Sequence, residues 1–309
     1  MEPLKTERLV LILTSLCDAQ CPQCLRAKDG KSIELETVKK IILEAKGLGC
    51  NMLNLSGGEL WLYPHFNELM DFITDQEMDF TVVSNAKRYE KYAPLLKHKK
   101  KFRWITFSLD GMKEKHDQSR GTGSFDQVLS AFRFFSDHIP THLNICLSRV
   151  NLNELESMVE VAHGAGCQLT RALGVISDKK TDPFVLNQEE RQGVVKRVNA
   201  IQKKNNLKIS ALSSILENRN DNFCSALKNF RNNIAITPKG QATFCCDMTG
   251  NGFFLGDLKK ESLRKIIDRA EEMAFFLKEK RAECLASNHP IIQESLCHFC
   301  NYAIGKFKL

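Results

Sequence analysis

Leu9-Val-Leu-Ile-Leu13-Thr-Ser-Leu-Cys17-Asp-Ala-Gln-Cys21-Pro-Gln-Cys24 is an apolar run of strand length that opens into three cysteines spaced C-x3-C-x2-C. Leu9–Leu13 is short and followed at once by polar residues, which reads as a buried strand. The loop behind it gathers three thiols. Thiolates are the ligands of iron–sulfur clusters, so this one loop can wrap a cluster. Three ligands on a four-iron cube leave one iron open, and an open iron can chelate a small molecule. A structural zinc ion is the competing use, but it wants four ligands and no fourth Cys or His lies nearby.

Outward from that strand the chain alternates. Further strand candidates are Met52–Leu55, Phe80–Val83, Trp104–Phe107, His142–Leu147 and Leu169–Leu173. Between them run amphipathic stretches at Glu34–Ala45, Phe66–Thr74, Glu90–Leu96, Phe125–Phe135 and Leu152–Ala165. Short strands separated by helices imply βα units on a parallel sheet. Right-handed crossovers wind six such units into a curved sheet or partial barrel, with chemistry at the carboxyl ends of the strands. Past residue 175 the rhythm changes. Asn187–Lys204 reads as one more helix and the polar Asn218–Asn222 as a boundary. Beyond it come two short strands (Ile234–Ile236, Ala242–Phe244), a turn at Pro238–Gly240 and a helix near Glu261–Lys280. The division expected is residues 1–215 and 216–309. The second part is cysteine-rich and poor in core, the kind of domain a metal holds together.

Composition narrows the class. The 309 residues are 43% hydrophobic and 26% charged, as for a globular protein with a real core. No apolar run reaches membrane-spanning length, and Leu9–Leu16 is too short and lacks the cleavage site of a signal peptide. The start reads as a native N-terminus, and the expected location is the cytoplasm. Net charge is +7, with a cluster at Lys97–Arg103 that reads as a solvated helix end or a landing patch for an acidic substrate or an electron donor. Aromatics do not interleave with the basic residues, so neither nucleic acid nor membrane is an expected partner. Twelve cysteines without an export signal point to metal ligands or catalytic thiols rather than disulfides. Cys50, Cys146 and Cys167 fall singly within the pattern and read as packing residues.

The cysteine array, its place after strand one and the motifs at later strand ends together resemble the radical S-adenosylmethionine (SAM) superfamily. The resemblance implies a 4Fe–4S cluster on Cys17, Cys21 and Cys24 whose open iron takes the amino and carboxylate groups of SAM. Ser56-Gly57-Gly58-Glu59 follows strand two and resembles the family's GGE motif, in which paired glycines allow close backbone approach and Glu59 accepts from the ligand ammonium. By the same resemblance Ser84 and Asn85, and Ser108 and Asp110 of Ser108-Leu-Asp110-Gly111, reach the ribose and carboxylate of SAM. Arg120, in Arg120-Gly-Thr-Gly-Ser-Phe125, and Ser148 and Asn151 join them. Where the family places an aromatic residue before the third cysteine, this chain has Gln23.

The order Cys224-x15-Gly240-x4-Cys245, then Cys297-His-Phe-Cys300, resembles the SPASM/Twitch extension found behind radical SAM domains. Leu255-Gly256-Asp257-Leu258 and the helix after it fit the same extension. Only Cys224, Cys245, Cys297 and Cys300 match cleanly, which suits the shorter Twitch form with one auxiliary 4Fe–4S cluster. A zinc ribbon is the competing use of four cysteines. The fold class implied is α/β: a partial (β/α)6 radical SAM barrel followed by a small cysteine-rich α+β Twitch-like domain.

Cys246 is a spare thiol beside Cys245. If the pair lies in a strand, the two side chains point to opposite faces, and Cys246 faces the barrel mouth while Cys245 faces its cluster. Radical SAM epimerases use such a cysteine to return hydrogen to a substrate radical, so the resemblance implies epimerisation of a peptide residue or of a sugar or aminoglycoside carbon. Dehydrogenation or thioether or carbon–carbon cross-linking is the alternative, and a non-catalytic metal protein the remote one. Cys284 is a further spare thiol, and His289 and His298 read as structural. The reductant implied is a flavodoxin or ferredoxin. The chain begins almost at strand one, which leans away from maturases with an N-terminal leader-binding domain.

Overall fold

The computed structural model describes residues 7–176, 182, 184–205, 207–212, 214–216, 225–246 and 253–304. Six parallel strands follow one another from β1 (Arg8–Ile12) through β2 (Met52–Ser56), β3 (Asp79–Ser84), β4 (Phe102–Ser108), β5 (Thr141–Leu147) and β6 (Leu169–Gly174). The alternation of strand and helix patterns places all six. A seventh parallel strand, β7 (Ile209–Ala211), extends the edge beside β6; at three residues it is too short to show a period.

The helices follow their apolar stripes. In α1 (Leu35–Gly47) the buried residues are Leu35, Val38, Ile41, Ile42 and Ala45, spaced three and four apart. Along α2 (Phe66–Asp75) and α4 (Ser124–Ser136) the same spacing buries Phe66, Leu69, Met70 and Ile73, and Phe125, Val128, Leu129, Phe132 and Phe135. Helices α5 (Leu155–Gly164) and α6 (Gln188–Asn205) complete the outer layer. They cover the outward side chains of the sheet, such as Leu53, Phe80, Val82, Ile105, Phe107, Leu143 and Ile145, all fully buried.

Two elements depart from the expected pattern. The segment Tyr89–His98 is a 3-10 helix rather than an α-helix, because Pro94 has no N–H for the α ladder. Between β4 and α4 lies an unexpected helix, α3 (Lys113–Arg120). Its sequence carries one buried residue, His116, so no apolar stripe announces it.

Beyond the barrel come α7 (Ser225–Lys228), β8 (Ala235–Ile236), β9 (Gln241–Thr243), β10 (Gly256–Asp257), α8 (Leu263–Ala286) and α9 (Leu296–Ile304). β8 pairs parallel with β1, β9 pairs antiparallel with β8, and β10 antiparallel with β9. Among the described residues one sheet of order β10-β9-β8-β1-β2-β3-β4-β5-β6-β7 therefore runs through both parts of the chain. The expected boundary segment Asn218–Asn222 lies outside the described residues. No described helix is long and apolar enough to cross a membrane.

Candidate functional site

The cysteine loop leaves the carboxyl end of β1 and is fastened from three sides. The first fastening is the glycine pair. Gly58 N–H donates to Thr14 O at 2.6 Å and Glu59 N–H to Leu16 O at 2.7 Å. A Cβ on Gly58 would lie 2.3 Å from Leu16 O, and one on Gly57 3.1 Å from Thr14 O. The close approach that needs glycine here is to the segment entering Cys17.

Glu59 turns inward and is buried. Its carboxylate accepts from Ser84 Oγ at 2.7 Å, from the Asn85 N–H at 2.8 Å and from the Tyr92 hydroxyl. Burial pushes its pKa up to about 7 against those donors. Asn85 then reaches the loop: its Nδ2 donates to Asp18 Oδ1 at 2.7 Å, while Lys87 Nζ donates to Asp18 O at 2.8 Å. This second fastening joins the end of β3 to the residue after Cys17.

The third joins the end of β4. Gln23 Nε2 donates to Asp110 Oδ2 at 2.8 Å, and Ser119 Oγ donates to Gln23 Oε1 at 3.2 Å. Asp110 also takes Arg120 Nη2 at 2.6 Å and the Cys146 N–H at 2.8 Å. Burial opposes the charge of Arg120, but Asp110 and Cys21 outweigh it and its pKa is raised. Asn151 Nδ2 donates to both Asp110 O and Cys146 O at 2.9 Å, and its Oδ1 accepts the Ser148 N–H at 2.8 Å. Ser108 ends β4 in register with Asn144.

The expected SAM-contacting residues thus fall into two hydrogen-bonded groups. One holds Glu59, Ser84 and Asn85; the other holds Asp110, Arg120, Ser148 and Asn151. The sequence offered no sign that Asp18 and Tyr92 belong with them, nor that Gln23 bonds Asp110, because each is bound by a partner distant in the chain.

Cys17 and Cys24 are exposed and Cys21 is buried. Burial raises the Cys17 thiol to about 11, and burial also raises Cys21, against the pull of Arg120. Among the described residues no three ligating side chains meet at one ion-sized point; the ligands of a cube attach to separate irons. Three thiols in one partly open loop fit such a cluster in number and in donor chemistry.

Inside the barrel the strands present Asn54, Thr81, Trp104, Thr106, Asn144 and Arg171 to a cavity of about 390 Å³. Its lining also includes Cys245, Cys246, Cys297 and Cys300. Cys245 and Cys246 follow the end of β9 instead of lying within a strand, so the opposite-face expectation does not apply: both line the same cavity. Cys224 lies outside the described residues. Cys284 is buried on α8 and does not line the cavity. His289 caps the turn at Pro290–Gln293 by accepting the Ile291 N–H, a structural role. Cys50 and Cys167 are buried as expected of packing residues, whereas Cys146 is half-buried on the same strand face as Asn144.

The model of the SPASM iron–sulfur cluster-binding domain matches residues 224–301. Mycofactocin maturase MftC of Mycolicibacterium smegmatis is 26% identical over 167 residues, 52% of this chain and 43% of that protein. The sporulation killing factor maturation protein SkfB of Bacillus subtilis is 30% identical over 169 residues, 52% of this chain and 41% of that one. The matched stretch thus spans less than half the length of these curated relatives. Among solved structures, anSMEcpe with bound AdoMet and a Cp18Cys peptide superposes with a TM-score of 0.69 at 14% identity, covering 97% of each chain. Streptococcus suis SuiB bound to SAM gives 0.68 at 15%, covering 84% of this chain and 65% of that one.

The resemblance to radical SAM proteins with a SPASM-type domain is borne out by the SPASM match and the curated maturases, and the barrel has the fold of anSMEcpe and SuiB. The match at residues 224–301 is to an iron–sulfur cluster-binding domain, in keeping with the clusters expected from the two cysteine groups. The partial barrel and the cysteine-rich region behind it are those expected from the sequence.

Proposed function

We propose that this radical SAM protein modifies a peptide held in the barrel cavity, and that the modification is inversion of a carbon centre with Cys246 as the hydrogen donor. Residues 1–215 form the catalytic barrel and 216–309 the auxiliary domain in this reading. Cys17, Cys21 and Cys24 hold the SAM-binding cluster, and Cys224, Cys245, Cys297 and Cys300 the auxiliary one. Gly57, Gly58, Glu59, Ser84, Asn85, Ser108, Asp110, Arg120, Ser148 and Asn151 shape the SAM pocket between the ends of β2 and β5. A peptide is favoured by the relatives, which include two maturases and the antilisterial bacteriocin subtilosin biosynthesis protein AlbA.

When bound, the reduced cluster and SAM supply a 5′-deoxyadenosyl radical able to remove one hydrogen atom from a substrate carbon. The barrel strands enclose the substrate from one side. Cys246 lines the same cavity, its carbonyl accepting from Arg26 Nη1 at 2.9 Å. Its S–H bond is weaker than most C–H bonds, so the thiol gives its hydrogen atom to the substrate carbon from the other face. That step breaks S–H, forms C–H and leaves a sulfur radical on Cys246. One electron and one proton from the external reductant and solvent restore the thiol.

The observation that carries this reading is that Cys246 lines the same cavity as the inward residues of the barrel. Turnover in heavy water is expected to place one deuterium in a product of otherwise unchanged mass. Cys246→Ala is expected to keep cleaving SAM while releasing no epimer. Oxidation or cross-linking is the second reading. It is favoured by Cys245, Cys297 and Cys300 lining the same cavity, where a redox centre suits removal of an electron. It predicts loss of two hydrogens from the product and no solvent deuterium.

A further inference from the structure

We propose that Arg8 and Arg171 form a carboxylate-binding site inside the barrel that selects an acidic residue of the substrate peptide. This rests on the reading of the cavity as the substrate chamber.

The cavity lining includes Arg8, Arg26 and Arg171 and, among the described residues, no Asp or Glu. Elsewhere the described arginines are repeatedly matched to carboxylates: Arg120 to Asp110, Arg149 to Glu190, Arg197 to Glu156 and Arg269 to Glu261. Among the described residues no carboxylate pairs with Arg8 or Arg171. Arg8 Nε donates to Asn232 O at 3.2 Å. Arg171 Nη2 lies 3.3 Å from His142 Nδ1, and burial and then Arg171 push that imidazole down to about 4, which keeps it neutral. Burial, and then Arg8, lower the pKa of Arg171. Two like charges on β1 and β6, at the two ends of the six-stranded barrel, therefore share one chamber with no carboxylate partner among the described residues. A guanidinium stays charged and offers a fork of donors that matches a carboxylate.

A second observation points to a ligand. Asn144 is the register partner of Arg171, and its Oδ1 is buried with no hydrogen-bond partner among the described residues. A buried acceptor left without a donor is costly. The backbone N–H of a peptide whose side-chain carboxylate meets the guanidiniums supplies that donor. The same chemistry disfavours a cationic aminoglycoside, which would bring more positive charge into a chamber whose described lining carries arginines and no acid.

An auxiliary cluster is itself anionic, and Cys245, Cys297 and Cys300 share this cavity. The test separates that source of negative charge from a substrate carboxylate. The probe is N-acetyl-Gly-Glu-Gly-amide, whose only carboxylate is the side chain, compared with its Gln counterpart. Binding to the anaerobically reconstituted full-length protein is followed by calorimetry. The wild type is expected to bind the Glu peptide about tenfold or more tightly over the Gln peptide. Arg8→Gln and Arg171→Gln are expected to erase that preference at full iron content, and Arg171→Lys to restore part of it. Arg149→Gln, a surface charge removal, is expected to keep it. Equal wild-type affinity for the two peptides, or no binding of the Glu peptide, overturns the proposal without any variant. So does loss of iron from the arginine variants with the peptide preference intact, which assigns the pair to the cluster. Failure of the proposed function shows separately, as no 5′-deoxyadenosine from wild type with SAM and reductant.

Discussion

Gln23 and Asp110 stand 87 residues apart in the chain, yet Gln23 Nε2 donates to Asp110 Oδ2 at 2.8 Å and ties the third cysteine's neighbour to the end of β4. Asp110 is buried and already holds Arg120, so the bond is charge-assisted and fixed at its far end. Gln23→Ala removes it and frees Ser119 as well. A hydrogen bond to a charged group contributes about 1.5–3 kcal/mol. The variant is expected to lose cluster iron to a chelator about tenfold faster than wild type. Gln23→Phe, which restores the family's aromatic residue, is expected to behave like Gln23→Ala because the ring cannot donate to Asp110. Iron release followed by absorbance checks both.

The glycine pair differs in tolerance at its two positions. A Cβ at residue 58 meets Leu16 O at 2.3 Å, which is backbone and cannot move without displacing Cys17. At residue 57 the contact is 3.1 Å to Thr14 O, tight but closer to what a small shift relieves. Gly58→Ala is expected to destabilise the protein by about 3 kcal/mol or more through overpacking, and to bind substoichiometric iron at the front loop. Gly57→Ala is expected to cost about 1 kcal/mol. Denaturant midpoints together with iron per chain rank the two; equal effects would show that the two approaches do not differ.

These tethers show where sequence reading stops. The six strands, the outer helices and the cysteine loop are legible because each is a local pattern: period two or an apolar run, period 3.6, and close thiol spacing. Helix α3 is not, since Lys113–Arg120 buries only His116. The residues holding the loop are not legible either, because Asp18 with Asn85, and Gln23 with Asp110, meet only once the sheet curls. A signal for the cavity did exist. Strands buried on both faces read as continuous apolar runs, but β5 alternates His142, Asn144 and Cys146 with Leu143, Ile145 and Leu147. Asn54 on β2 and Arg171 on β6 break their runs in the same way. Polar residues at every second position of a parallel strand mark the side that faces a lumen.

His116 gives the barrel a pH dependence of definite sign. It is fully buried, its Nδ1 accepts the Asp110 N–H at 3.0 Å, and its Nε2 is buried without a partner. Burial, with Arg120 adding to it, lowers its pKa from 6.5 to about 4. The neutral ring is therefore favoured in the fold, while the unfolded chain takes up a proton below about 6.5. Its contribution is complete above that pH and is lost as pH falls toward 4, a change of about 3 kcal/mol. His116→Asn keeps an acceptor for the Asp110 N–H and cannot titrate. It is expected to be less stable at pH 7 through lost packing, but to show a flatter profile between pH 6.5 and 4. Urea midpoints across that range for both proteins test the slope; parallel profiles would remove His116 as its source.

The basic run Lys97–Arg103 sits far from the cluster loop in the plan of the barrel. It enters β4 at its amino end, whereas Cys17, Cys21 and Cys24 follow the carboxyl end of β1, and the strands between are parallel. Much of its charge is already matched: Lys97 and His98 to Asp71, Lys101 to Glu77 and Arg103 to Asp79. A landing patch for a flavodoxin needs uncompensated charge beside the centre being reduced, since exposed charges are screened beyond about 8–10 Å. Reversing the charge at Lys99 and Lys100 together is therefore expected to change the rate at which reduced flavodoxin reduces the front cluster by less than about twofold at physiological salt. The stopped-flow rate should be equally insensitive to raising the salt in wild type and variant. A tenfold fall in the double variant that salt abolishes in wild type would instead place the donor on this rim, and electrons would then have to cross the length of the barrel to reach the cysteine loop.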